Sequence, residues 1–173
     1  MNCALLGLDS TALNAALSRI KQTADLGGTL FVAGNGGSAA IAEHLMCDFM
    51  KGAGLKVISL CSNVSLLTAL ANDIEYAEIF RAKLKMFGSC QRDCLFLISS
   101  SGNSPNVINA AKYAEEISMS VIGLTGFSGG ELRSLSDVSL HISAHNYGIV
   151  EDSHQAIMHI LTQWASIAFA SGG

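Results

Sequence analysis

The chain has 173 residues, of which 50% are hydrophobic and only 14% charged, with a formal net charge of −4 at pH 7. Such a chain is too apolar to be intrinsically disordered, is long enough for one domain with a real core, and is too acidic to bind nucleic acid by bulk electrostatics. Soluble domains usually carry about 25% charged residues, so the surplus apolar surface must be covered somewhere.

Asp9-Ser10 reads as a helix start, and Leu13, Leu17, Ile20 and Ala24 then recur at helical spacing until Gly27-Gly28 stops them, giving a first helix over 9–26. An apolar run at 29–33, short enough for a buried strand, breaks into Gly34-Asn35-Gly36-Gly37-Ser38 and a helical stretch over 39–50. A second strand is expected at 56–60, followed by helical pieces near 65–71 and 76–87. A third strand at 94–99 breaks into Ser100-Ser101-Gly102-Asn103-Ser104, and Pro105 takes the favoured first-turn position of the next helix. Strands at 120–125 and 138–142 flank Gly126 and Gly129-Gly130, and a long helix runs from about 150 to 170. Strands that are continuously apolar and alternate with helices predict an α/β fold: a three-layer sandwich with a five-stranded parallel sheet flanked by helices. No linker, charge block or repeat divides the chain, so 1–173 is expected to be one domain.

Membrane insertion is not expected. The most apolar long stretch, 157–170, contains His159, Thr162, Gln163 and Ser166 and falls short of the roughly 20 apolar residues of a span. The N-terminus has no basic region before an apolar run, so it does not read as a secretory signal. Five cysteines (Cys3, Cys47, Cys61, Cys90 and Cys94) have no CxxC spacing and read as small buried hydrophobes in a reducing cytoplasm.

Ligands of parallel sheets bind at the carboxyl ends of the strands, which directs attention to the loops after the first and third. Gly34–Ser38 offers three glycines for close backbone approach, in front of the positive end of a helix. Ser99–Ser104 crowds four hydroxyls into six residues, each able to donate to an anionic oxygen. Neither loop contains lysine or matches GxxxxGK[ST] or GxGxxG, which disfavours nucleoside triphosphates and dinucleotides and leaves small phosphate esters. His44 and Asp48 are four apart on one helix, and Glu151 and His159 eight apart on another, so each pair shares a face. Two histidines and two carboxylates form a donor set suited to a divalent metal such as zinc.

These segments resemble those of sugar isomerase (SIS) domain proteins, and among them the chain is most similar to phosphoheptose isomerases. The resemblance runs from the first helix to the last. It is carried by Gly34–Ser38, the His44 helix, Ala71-Asn72-Asp73, Ser99–Ser104 with Asn106-Val107, Leu124-Thr125-Gly126, Gly129-Gly130, and the helix bearing His154 and His159. It implies a cytoplasmic homotetramer with active sites between subunits and the 9–26 helix in the interface. It also implies conversion of D-sedoheptulose 7-phosphate to D-glycero-D-manno-heptose 7-phosphate through an enediol, supplying bacterial surface polysaccharide. By position, Ser99, Ser100, Ser101 and Ser104 would cradle phosphate, and Asn35, Gly36, Gly37, Ser38, Asn72, Asp73 and Glu151 would line the substrate. Asp48 and His159 would exchange the protons, and His44, Asp48, Glu151 and His159 would hold zinc.

The chain departs from the family at four of these places. Asp48 stands for a glutamate, Glu151 for a glutamine, Gly148 for a sugar-holding aspartate and Gly52 for an arginine. Isomerisation or binding of another sugar phosphate is therefore an alternative, as is a non-catalytic SIS protein that binds other proteins. Joint retention of His44, Asp48, Glu151 and His159 favours catalysis.

Overall fold

In the computed structural model, which describes residues 9–170, the central strand is the third apolar run. β3 (Cys94–Ser99) is buried along its whole length, as is β1 (Leu30–Gly34) beside it. With β2 (Val57–Ser59), β4 (Ser120–Thr125) and β5 (Val138–His141), they form a five-stranded parallel sheet in the order β2-β1-β3-β4-β5. Leu30 pairs with Val57 on one side and Cys94 on the other, and Cys94 in turn with Ser120.

Alternation along each strand builds two cores. Leu30, Val32, Phe96, Ile98, Ile122 and Leu124 face α1 (Ser10–Asp25), α2 (Gly37–Ala53) and α7 (Tyr147–Ala170). Phe31, Ala33, Leu95, Leu97 and Val121 face α3 (Val64–Asp73), α4 (Ile79–Met86), α5 (Pro105–Glu116) and the short α6 (Gly130–Leu135), with a single 3₁₀ turn at Tyr76–Glu78 before α4. The expected fold class is thus the observed one. The six-residue α6 has no counterpart among the expected elements, since a glycine pair hides its start.

Strand order reverses between β1 and β3, because the chain leaves β1 toward β2 on one side and later returns to β3 on the other. A crevice opens at such a switch point, beyond the carboxyl ends of the strands. The Gly34–Ser38 and Ser99–Ser104 loops both start there. Gly36 sits at φ +54 and ψ −122, a conformation open to glycine alone, and lets β1 turn directly into α2. Gly102, at φ +67, packs so closely on the Gly129 carbonyl that a Cβ would collide with it. No helix among the described residues is long and apolar enough to cross a membrane. Of the cysteines, Cys94 is buried and Cys61 and Cys90 are half-buried, but Cys47 is exposed on α2, against expectation, and Cys3 lies outside the described residues; the other four are free thiols.

Candidate active site

The loop after β3 is organised by its own hydroxyls. The Ser99 hydroxyl accepts from the Gly102 amide (3.1 Å) and lies 3.4 Å from the Ser104 hydroxyl. The Ser101 hydroxyl accepts from the Asn103 amide (3.3 Å). The buried Ser100 hydroxyl has no hydrogen-bond partner. A cavity of about 170 Å³ lies against this loop, lined by Ser99, Ser100, Ser101 and Ser104 on one side and Asn35, Ser38, Tyr147 and Glu151 on the other. α2 and α5 both begin at it, so two helix N-termini add partial positive charge. An unpaired hydroxyl, flanking hydroxyls and two helix starts suit an anionic group such as a phosphate ester.

The structure therefore brings together seven residues singled out by sequence: Asn35, Ser38, Ser99, Ser100, Ser101, Ser104 and Glu151. Gly36 and Gly37 lie where β1 meets α2, between the lining residues Asn35 and Ser38, and a Cβ on Gly37 would fall 2.8 Å from the Glu151 carboxylate. Asn72 and Asp73 stand apart. They are exposed at the end of α3 and bonded to each other, the Asn72 amide donating to Asp73 Oδ1 at 2.9 Å.

A second cluster lies on the seam where α2 packs against α7. Asp48 Oδ2 is 3.5 Å from His44 Nε2, one turn away on α2. The His44 and His159 rings meet edge to face with centroids 5.1 Å apart. Gln155, one turn before His159, reaches both: its amide nitrogen is 2.9 Å from His159 Nε2 and 3.0 Å from His44 Nδ1. Gln155 escaped the sequence reading, although its i,i+4 spacing to His159 was a usable signal. Tyr147 and the pair Asn106 and Tyr76, which bond to Asn35 (2.8 to 2.9 Å), also belong to the site.

The four expected metal ligands do not fit zinc as arranged. His44, Asp48 and His159 gather at the seam with an amide between the rings, whereas the Glu151 carboxylate turns to Gly37 and the serine loop. Among the described residues, no three His, Cys, Asp or Glu side chains converge as a metal-holding group.

Two further histidines stand by Thr125, at the end of β4. His141 Nδ1 is 3.0 Å from the Thr125 hydroxyl. His154 is fully buried, and neither ring nitrogen reaches a hydrogen-bond partner. Burial pushes its pKa from 6.5 down to about 4, partly offset by the Thr125 backbone, so it is neutral near pH 7.

Comparison with known proteins agrees with this architecture. The SIS domain profile matches residues 5–126. The phosphoheptose isomerase of Helicobacter pylori (strain ATCC 700392 / 26695) is 34% identical over 164 residues, covering 92% of this chain and 85% of that protein. The phosphoheptose isomerase structure from Neisseria gonorrhoeae superposes with a TM-score of 0.86 at 33% identity, covering 90% of this chain and 86% of the other. That from Francisella tularensis gives 0.87 at 28% identity, covering 95% and 90%. The chain belongs to the SIS domain family and, within it, to the phosphoheptose isomerases.

Proposed function

We propose that this protein is an aldose–ketose isomerase that converts D-sedoheptulose 7-phosphate to D-glycero-D-manno-heptose 7-phosphate for bacterial heptose biosynthesis. The observation that carries the reading is the hydroxyl-lined cavity at the switch point, with an acid–base cluster on the adjoining α2–α7 seam. The phosphate docks against Ser99, Ser100, Ser101 and Ser104, and Asn35 and Ser38 face the sugar. A base removes a proton from C1 of the ketose while the C2 carbonyl oxygen is protonated, giving the enediol. The O1–H proton then leaves and a proton returns to C2, so the aldehyde forms at C1 with no net gain or loss of atoms. Asp48 and His159 are the pair assigned to these transfers, a carboxylate and an imidazole being suited to general acid–base work near neutral pH. Because these side chains are not gathered as a metal-holding group among the described residues, no step is routed through a metal.

The chain is read as one SIS domain over 1–173 that acts in the cytoplasm as a homotetramer with active sites between subunits. Two features support self-association: the low charge of the chain and the apolar side chains of Ile160 and Trp164, which α7 exposes to about half their area. Light scattering that returned a stable monomer would overturn that part. Isomerisation of another sugar phosphate is a second reading, favoured by Gly148, which offers no side chain where the family holds its sugar, and by the separation of Asn72 and Asp73 from the cavity.

The deciding experiment incubates the protein with sedoheptulose 7-phosphate in heavy water and follows it by NMR. New aldose signals carrying solvent deuterium at C2 support the reading; tight binding of the sugar phosphate without turnover overturns it. His159→Ala lowers kcat by about 10²–10⁴-fold, and a variant with full activity would refute the residue assignment.

A further inference from the structure

Gln155 stands between two histidines, within hydrogen-bond distance of one nitrogen of each. Its –NH₂ group carries two donors, and each neutral imidazole offers one lone pair. With separations of 3.0 Å to His44 Nδ1 and 2.9 Å to His159 Nε2, one amide engages both rings. Turned the other way, its carbonyl oxygen would accept from both ring N–H groups instead, and the two facing nitrogens would still be engaged by the amide. Zinc–nitrogen bonds are about 2.0–2.1 Å long, so a cation at the amide position would stand almost an ångström too far from each ring. The separations from Gln155 to the two rings are thus those of a hydrogen-bonded amide and not of metal–nitrogen bonds.

We propose that Gln155 is a positioning residue that stands in for a metal: its amide fixes His44 against His159 and keeps a divalent cation from binding between them. Three observations converge on this. His44 turns its second nitrogen to Asp48 (3.5 Å), so Asp48, His44, Gln155 and His159 form one continuous polar chain across the α2–α7 seam. Glu151, the remaining candidate ligand, lies by Gly37 and lines the cavity that the serine loop also lines. Among the described residues no alternative group of three ligands forms. The inference rests on the reading of His44 and His159 as site residues, but its test is cation affinity, which requires no turnover and so fails or succeeds separately from the isomerase assignment.

The experiment strips the full-length protein with a chelator and titrates zinc against a chromophoric competitor for wild type, Gln155→Ala, Gln155→Glu, and Gln155→Ala combined with His44→Ala. Circular dichroism and thermal melting establish that each is folded. Gln155→Ala releases both imidazole lone pairs and is expected to tighten zinc binding at least 10-fold. Gln155→Glu, nearly isosteric with the wild type, supplies a carboxylate oxygen between two imidazoles, a two-histidine, one-carboxylate donor set, and is expected to tighten it further. Adding His44→Ala abolishes the gain. The near-isosteric variant keeps the test decisive if Gln155→Ala does not fold. Zinc affinity that is unchanged or weakened in both single variants would overturn the proposal, as would a wild type that binds one zinc per chain more tightly than either of them.

Discussion

Asn35 and Asn106, 71 residues apart, exchange a reciprocal pair of amide hydrogen bonds: Asn35 donates to Asn106 Oδ1 at 2.8 Å, and Asn106 donates to Asn35 Oδ1 at 2.9 Å. Asn35 follows β1 and Asn106 lies in the first turn of α5, so the pair ties together the two loops that enclose the cavity. Tyr76 donates a third bond to Asn35 Oδ1 at 2.9 Å, and Asn106 Oδ1 also accepts from the Val107 amide at 3.0 Å. Asn106 is buried, so its amide cannot exchange these partners for water. Replacing it strands polar groups, at about 1–3 kcal/mol each. Asn106→Ala is expected to lower unfolding stability by about 2 kcal/mol and to raise KM for the sugar phosphate more than it lowers kcat. Urea denaturation and steady-state kinetics check both, and an unchanged KM would show that the pair does not shape the cavity.

Among the described residues, Glu151 is the one charged side chain lining that cavity, and its charge has the sign of the phosphate proposed to enter. At a separation of several ångströms and partial solvent access, one unit of like charge opposes binding by about 1 kcal/mol. Glu151→Gln, which restores the amide of the family at this position, is therefore expected to lower KM about five-fold, with a smaller gain at high salt. A rise in KM would mean that the carboxylate accepts hydrogen bonds from the sugar and contributes binding instead.

The parallel sheet was readable because buried parallel strands are continuously apolar, as in Leu95, Phe96, Leu97 and Ile98. The two loops were readable because glycines and serines at a strand-to-helix turn have few other uses in such number. Helical spacing placed His44 beside Asp48. What escaped depends on contacts between distant segments. Nothing near Asn106 announces Asn35, and although Gln155 stands four residues before His159, nothing local announces that a second helix brings His44 to it. Asn72 and Asp73 were assigned to the site by resemblance; they bond to each other at the exposed end of α3 and are not among the residues that line the cavity within this chain. Glu151 was grouped with the metal donors by its spacing to His159, but two turns of α7 carry it past the seam to the serine loop.

Lys83 shows the same limit. It lies among Arg81 and Lys85 as if on a solvated helix face, yet it is buried. Its ammonium donates to the carbonyls of Leu60 and Ser62, both at 2.6 Å. Those carbonyls follow β2, on either side of Cys61, whose thiol donates to the Gly34 carbonyl at 3.2 Å. Burial lowers the Lys83 pKa, with the neighbouring Cys61 and Glu43 opposing the shift. Lys83→Met keeps most of the volume but leaves two carbonyls without their donor. It is expected to destabilise the protein by about 2–4 kcal/mol, against less than about 0.5 kcal/mol for Lys85→Met, a surface change of the same chemistry. Denaturant unfolding of the two variants side by side decides it; equal effects would remove the structural role assigned to Lys83.

His154 gives the fold a specific sensitivity to acid. Its folded-state pKa is about 4, against 6.5 for the ordinary side chain, because burial penalises the imidazolium; the facing His141 adds to this when charged, and the Thr125 backbone offsets part of it. As pH falls below 6.5, the unfolded chain takes up a proton that the folded state refuses until about pH 4, so the unfolded state binds more protons and stability falls with pH across that window. The slope approaches about 1.4 kcal/mol per pH unit, so lowering pH from 7 to 5 costs about 2 kcal/mol through this residue. Above pH 6.5 both states are neutral and the contribution is flat. His154→Leu removes the titrating group while retaining an apolar side chain in the core. It is expected to lose about 2 kcal/mol less stability than the wild type between pH 7 and 5, whatever its stability at pH 7, because the carboxylates and His141 titrate in both proteins. Equal losses in the two proteins would mean that His154 does not carry the acid dependence.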